Sequence, residues 1–282
     1  MEKLLEKILI KIKKNKEFKN NVNNRNRKHK IVNNRITLFL SKICCGSIPK
    51  LKNSTINIYG NNNIIYCDKG VVIENSIINF YGSNAVIYLS SNTNHYMINI
   101  DIFNNSTCYF SNNTFFADTV NLKIYEENNI IIGKDCIFSR NVWLRVADAY
   151  PIYMVKEKTR VNYSKSIYIG DHVWLGQNAL VLKGSWIGSG SILAANSVLA
   201  SKLVPSNRVY GGNPIRLIKK DVFFTNDCVY SWTMEETENN HKNTSNEYIY
   251  NREKKNNIIE ELENKLIKYE DNSLEKVKVL NK

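Results

Sequence analysis

Histidine is scarce in this chain, four residues among 282. No two of them stand at the spacing a shared metal ion requires. A three-histidine zinc centre, or a cluster of His with Cys or carboxylates, is therefore not expected, and the protein is read as metal-free. The six cysteines, Cys44, Cys45, Cys67, Cys108, Cys136 and Cys228, contain no C-x-x-C pair and include an adjacent couple. That is a poor disulfide framework, and buried free thiols in a reducing compartment are the simplest account. No glycine-rich nucleotide-binding loop is present either. The apolar stretch nearest the N-terminus is repeatedly interrupted by Lys, so it reads neither as a secretory signal nor as a membrane span. The expected location is the cytoplasm.

Acidic residues are also short, 26 against 39 Lys and Arg, for a net charge of +13. Residues 1–30 hold eleven of those cations against three Glu, so a net +8 lies there. Leu4, Leu5, Ile8, Leu9 and Ile12 recur in the same stretch at helical spacing, giving one apolar face on a basic helix. Such a helix could lie on an anionic membrane at the inner face, or be solvated or packed in an oligomer. No recognition motif or aromatic-interleaved basic patch accompanies the charge, so nucleic acid is not an expected partner.

What the chain does have is a cadence. Ile169, Leu175, Val181, Ile187, Leu193 and Leu199 stand six apart without a miss, and Gly or Ala follows five of them. With roughly a quarter of the chain Ile, Leu or Val, six hits in one frame arise by chance about three times in ten thousand. A six-residue period suits neither helix nor ordinary strand. It suits a chain that turns a corner every six residues, so that three short strands close a triangular coil and coils stack as parallel sheets. Upstream the pattern continues in a looser form with a 22-residue step: I-N-I-Y at Ile56, I-N-F-Y at Ile78, I-D-I-F at Ile100 and L-K-I-Y at Leu122. Each copy reads as one coil with extra residues at a corner. The Asn clusters at 61–63, 104–105 and 128–129 are expected to take left-handed backbone there.

The organisation that follows is a basic helical arm over 1–49, an all-β solenoid over 50–220, and a C-terminal polar and helical extension over 221–282. Ile258 to Leu266 reads as a short exposed helix within that extension. The solenoid frame is interrupted once, over 145–166, by R-V-A-D-A-Y-P-I-Y-M-V-K-E-K-T-R-V-N-Y-S-K-S. An excursion of that size from a rigid column is where a site would be built.

I-I-G-K-D-C-I-F-S at Ile131, A-D-A-Y-P-I-Y at Ala147, S-K-S-I-Y-I-G-D-H-V-W-L-G at Ser164, V-P-S-N at Val204 and G-G-N-P-I-R-L-I-K at Gly211 resemble the hexapeptide-repeat O-acyltransferases. The likeness covers about residues 50–232. It is to the branch of serine, galactoside and maltose acetyltransferases and, more closely, to enzymes that acetylate capsular or surface polysaccharide. The resemblance implies a left-handed parallel β-helix, a homotrimer, and acetyl-coenzyme A lying between neighbouring columns, with direct transfer to a sugar hydroxyl. A loop His would take the hydroxyl proton while backbone N–H groups stabilise the oxyanion. Carbonic anhydrases of the same architecture need paired His at H-x-x-x-x-H, which this chain lacks.

In the family's D-x-H pattern this sequence reads Asp148, Ala149, Tyr150. The base position therefore holds a phenol, a group some three pK units less available as a base at neutral pH than imidazole. Arg145 or Arg160 nearby could favour its ionised form. His172, in G-D-H-V-W, is a reserve candidate for the base, or a corner residue without catalytic use. The resemblance places Trp174 beside the acyl group, shielding it from water; packing at a trimer interface is the other reading of that indole. It also places Gln177 and Ala195 along the pantetheine arm, Ser201 and Lys202 near the cofactor's far end, and Arg216 and Lys219 on its phosphates. Two functions follow: an O-acetyltransferase acting on a surface glycan or its precursor, or an impaired trimeric scaffold or glycan-binding protein in which Tyr150 has ended catalysis.

Overall fold

In the computed structural model residues 40–41, 44–250 and 257–281 are described, with side chains over 46–250 and 261–281. The basic arm's helix, His29 and the side chains of Cys44 and Cys45 lie outside them.

The cadence builds a three-walled column because every sixth residue falls on the next wall and every eighteenth returns to the same one. Ile169, Leu175 and Val181 pair across parallel ladders with Ile187, Leu193 and Leu199, and all six are buried. After Leu199 the frame shortens by one residue, so Val204 is the partner of Ile187. Ser201, at φ +49°, makes the tighter corner.

The 22-residue step builds the same column with wider walls. Ile56, Ile78, Ile100, Leu122 and Leu144 pair in sequence up one ladder. The first wall has seven strands, from Thr55–Ile58 to Val198–Leu199, and the second has seven, from Ile64–Cys67 to Leu203–Val204. The third runs from Phe115–Phe116 to Val209–Gly211 and is closed by Arg216–Lys219, which returns antiparallel. Inside, the apolar anchors of the three walls meet a stack of rings, Tyr96, Phe110, Phe116 and Phe138.

Asparagine secures the corners. Asn62 and Asn105 take left-handed backbone, and their amides form rows from coil to coil: Asn62 to Asn84 at 3.2 Å, Asn84 to Asn105 at 3.1 Å, Asn105 to Glu127 at 2.9 Å. At the fourth copy the bend comes earlier than expected. Glu126 and Glu127 hold φ +51° and +61°, while Asn128 folds its amide back onto the carbonyls of Tyr125 and Glu126 and Asn129 opens a strand. A side chain that caps the turn from outside leaves the bend to its neighbours.

Among its described residues the extension contains three α-helices, α1 (Met234–Asn239), α2 (Asn257–Lys268) and α3 (Ser273–Leu280). The helix expected around Ile258 to Leu266 is present, but it is not simply exposed. Leu266 joins Val277 and Leu280 of α3 against Tyr66, Val86, Tyr88, Ile131, Tyr168 and Trp186 on the outer face of the second wall. The tail covers one wall because that wall's outward positions are aromatic and aliphatic, and burying them is worth about 25 cal/mol per Å². Lys276 is drawn in with it and donates to the carbonyls of Asn84, at 3.3 Å, and Asn105. Burial pushes its ammonium pKa down to about 8. Of the cysteines, Cys67, Cys108 and Cys136 are buried and free, as expected, whereas Cys228 is exposed on the non-periodic tail.

Candidate active site

The excursion leaves the column where the first wall hands over to the second. It is a short hairpin, with Tyr153 bridged antiparallel to Arg160, and Asn162 holds it. The buried Asn162 amide donates to Asp148 Oδ2 at 2.9 Å and to the Tyr150 carbonyl at 2.8 Å, and its Oδ1 accepts from the Ile152 N–H at 2.7 Å. Lys183, one coil above, pairs with the Asp148 carboxylate and donates to the Asn162 carbonyl at 3.1 Å. The Lys183 ammonium, then the Asn162 amide, hold the Asp148 carboxyl below its ordinary pKa. From the coil below, Glu126 binds the Arg160 guanidinium at 2.8 Å and accepts from the Ser164 hydroxyl, and both lower its pKa. Asn162, Lys183 and Glu126 were not singled out in the sequence. They lie on separate coils, and no local spacing marks them as partners.

So held, the loop presents Tyr150 to solvent at 81% exposure. Neither expected cation is free to act on it in an obvious way. Arg160 is committed to Glu126 and lies 5.1 Å from the centre of the Tyr163 ring, and Arg145 has its Nε buried in the column's wall. Asp148 touches Asn162 and Lys183, so its visible work is to anchor the loop.

His172, the reserve candidate for the base, is not presented to solvent. It is fully buried, its ring stacked between Phe224 at 4.0 Å and Tyr248 at 3.8 Å, with Nε2 2.9 Å from the Phe224 carbonyl oxygen. Burial lowers its pKa, and the C-terminal extension seals it from any substrate. Its φ of +52° marks it as a corner residue, at a position where other corners place Asn or Asp. The same Phe224 ring reaches Trp174, 5.9 Å between centroids. Trp174 is partly exposed on the third wall and donates its indole N–H to the Ser139 hydroxyl at 3.0 Å. The tail thus buttresses the indole through four rings in line, Tyr248, His172, Phe224 and Trp174.

The remaining candidates divide between two edges. Gln177 and Ala195 are exposed on successive coils where the third wall meets the first, tied by the Asn196 N–H to the Gln177 carbonyl at 2.8 Å. Arg216 and Lys219 stand exposed on the antiparallel return beside that wall. Ser201 and Lys202 lie instead at the first-to-second corner, where the Ser201 hydroxyl donates to the Lys183 carbonyl at 2.9 Å. Tyr150 leaves from that same corner, whereas Trp174 sits on the opposite wall. One chain therefore displays the two halves of the expected site on different faces. The exposed cations Lys202, Arg216 and Lys219 are chemically suited to the phosphates of a coenzyme A.

Residues 166–201 match the bacterial transferase hexapeptide family (six repeats). The chain is 43% identical over 101 residues to the polysialic acid O-acetyltransferase of Escherichia coli O1:K1 / APEC, spanning 36% of this chain and 33% of that one. To the polysialic acid O-acetyltransferase of Neisseria meningitidis it is 27% identical over 139 residues, 49% of this chain and 64% of the relative. It therefore spans between a third and two thirds of the length of these relatives. Among solved structures, the polySia-specific acetyltransferase NeuO aligns with a TM-score of 0.55 at 27% identity, over 68% of this chain and 90% of that one. The polysialic acid O-acetyltransferase OatWY aligns with a TM-score of 0.51 at 26% identity, over 67% and 94%. The stacked hexads, the parallel column and these likenesses together make the chain similar to the hexapeptide-repeat transferases, with the family's own repeat matched over residues 166–201.

Proposed function

We propose that this protein is an O-acetyltransferase that moves an acetyl group from acetyl-coenzyme A to a hydroxyl of a surface or capsular glycan, or of its precursor, in the cytoplasm. The observation that carries the reading is the loop held over the rim of the column by Asn162, Lys183 and Glu126, with Tyr150 projecting from it. The separation of Tyr150 from Trp174 supports a homotrimer, in which the loop of one copy meets the third wall of the next. Acetyl-coenzyme A would supply the activated acyl group, its phosphates held by Lys202, Arg216 and Lys219 and its arm along Gln177 and Ala195. Trp174 would exclude water from the acyl carbon. Tyr150, as the phenolate, would take the proton of the acceptor hydroxyl as its oxygen attacks the thioester carbon; the C–S bond would then break and the proton pass to the departing coenzyme A thiolate.

Titration with acetyl-coenzyme A tests the donor half: a thermal-stability rise at millimolar ligand is expected, and none would overturn the reading. Tyr150→Phe tests the acceptor half, with transfer to a glycan acceptor expected to fall at least tenfold. Exposure of Tyr150 without a bound cation favours a second reading, an impaired scaffold. Under that reading Tyr150→His would raise transfer from a baseline that Tyr150→Phe leaves unchanged.

A further inference from the structure

The outer face of the first wall carries two side-by-side columns that the catalytic reading does not use. Along the 22-residue coils, residues of one parity point outward. One column is Asn57, Asn79, Asp101 and Lys123, joined rung to rung: Asn57 donates to Asn79 at 2.9 Å, Asn79 to Asp101 at 2.8 Å, and Lys123 pairs with Asp101. Two residues further along each coil, just past the strand ends, stand Tyr59, Tyr81, Phe103 and Tyr125. Their ring centres are 5.4, 5.2 and 4.8 Å apart, and the angles between ring planes open from 4° to 33° to 49° up the column.

Three features separate this stripe from core packing. Tyr59 and Tyr81 are 56% and 45% exposed, so the stripe presents contiguous aromatic surface to solvent, the kind of patch that marks an interaction site. The splay at the upper end keeps Phe103 and Tyr125 from covering each other's faces. Beside these two rings lies an open groove of about 450 Å³, lined also by Asn104, Glu126 and Glu127. Finally, the groove leads to the loop, because Glu126 is the residue that binds Arg160 and Ser164. On its other flank the stripe is braced by α3, whose Ser273 and Lys276 donate to the corner carbonyls of Asn62, Asn84 and Asn105. The rungs are thereby fixed without being covered.

We propose that this stripe binds the body of an extended glycan acceptor, sugar faces on the rings and hydroxyl or acetamido groups on the amide column, and feeds it to the loop. Rungs about 4.8 Å apart match the advance of a pyranose unit along an extended chain. The polarised C–H bonds of a sugar face suit the negative faces of aromatic rings. Amide and carboxylate side chains, paired to one another yet half exposed, offer donors and acceptors without an unpaired buried charge. A row so polar is ill-suited to the core of a protein interface, where charged groups are depleted. The inference rests on the glycan-acetylating reading for its direction of travel, but binding is measured apart from catalysis.

The test is retardation of the full chain in native gels cast with polysialic acid, chitooligosaccharides or maltooligosaccharides of graded length, comparing wild type with Tyr59→Ala/Tyr81→Ala. At least one series is expected to retard the wild type more strongly as chain length grows, and the double variant should bind at least tenfold more weakly. Tyr81→Leu, which keeps apolar bulk and packing, should show a smaller loss of the same sign and guards against misfolding of the double variant. Thermal stabilisation by acetyl-coenzyme A should be equal in wild type and both variants; its absence from the wild type would count against the transferase reading and not against the stripe. No retardation by any series, retardation independent of length, or equal binding by wild type and variants would overturn the proposal. So would a fall in oligomer mass in the variants, which would make the stripe a contact between copies.

Discussion

The two halves of the column solve one packing problem with different margins. In the coils that return after eighteen residues, each wall is two or three residues wide and small residues fill the corners, so almost every position is committed to closing the prism. In the coils that return after 22, walls reach five residues and the corners lengthen. The additional residues widen the interior, where Ile98, Ile100 and Ile102 or Val120, Leu122 and Ile124 all face inward and rings fill the added space. They also appear outside, as amide rows and an aromatic stripe. A solenoid thus gains surface for recognition by loosening its period, while the tight coils preserve geometry.

Substitutions at the anchors test that division first. Ile100→Ala in the wide coils and Leu193→Ala in the narrow ones should each cost about 2–5 kcal/mol of stability by chemical denaturation, since both are buried in one continuous core. Equal costs would fit a shared interior; a negligible cost in either would break the comparison. Glycines come next. A Cβ on Gly82 would stand 2.1 Å from the Asn104 backbone nitrogen, whereas at Gly70, with φ +86°, it would meet open space. Gly82→Ala should therefore cost at least about 2 kcal/mol by forcing coils apart, and Gly70→Ala about 1 kcal/mol of backbone strain alone.

The latch at His172 gives a pH-dependent effect of intermediate size. Its neutral ring is clamped, so as pH falls below the ordinary imidazole value of about 6.5 the unlatched state takes up a proton that the clamped state resists. Stability of the latch is present above that pH and declines below it, by up to about 1.4 kcal/mol per pH unit until the depressed pKa is reached. The groups facing the ring, Asp135, Glu247, Tyr248 and Phe224, oppose or shape the loss. The protection factors of residues 222–250 in hydrogen exchange, taken relative to the intrinsic amide rate at each pH, should fall between about pH 6.5 and 5.5. His172→Asn, which suits the left-handed corner, should remove that dependence.

The smallest effect is expected at the loop. Asp148→Asn weakens a half-exposed ion pair worth about 0–1 kcal/mol, so global stability should scarcely change. Proteolysis within 149–161 should nevertheless quicken, because Asn162 and Lys183 lose a shared partner.

These contrasts explain what was legible beforehand. The inward anchors from Ile56 to Leu199 could be read because a dry interior without polar partners admits only apolar side chains, and stacking forces them to recur. Tyr150 is exposed on the excursion loop, a placement the break in the hexad frame marks but whose role it does not fix. The fate of His172 was hidden, because Phe224 and Tyr248 arrive from a tail with no period, and a corner His looks the same whether open or sealed. Asn162 and Lys183 were hidden for a related reason: a staple between coils is a relation across 21 positions, not a pattern within either segment. The tail's hold on the second wall became visible only once Tyr66, Tyr88 and Trp186 were seen to face outward.

The antiparallel return of Arg216–Lys219 on Val209–Gly211 has one more consequence. A stack of parallel coils has no intrinsic last layer, and its final rung is a template onto which another chain could add, as in a fibril. By reversing direction and ending in a run of exposed cations, this segment offers the next chain the wrong hydrogen-bond polarity and a repelling charge. The last rung of the third wall is in this way occupied by the chain's own returning strand and is not left as an open edge.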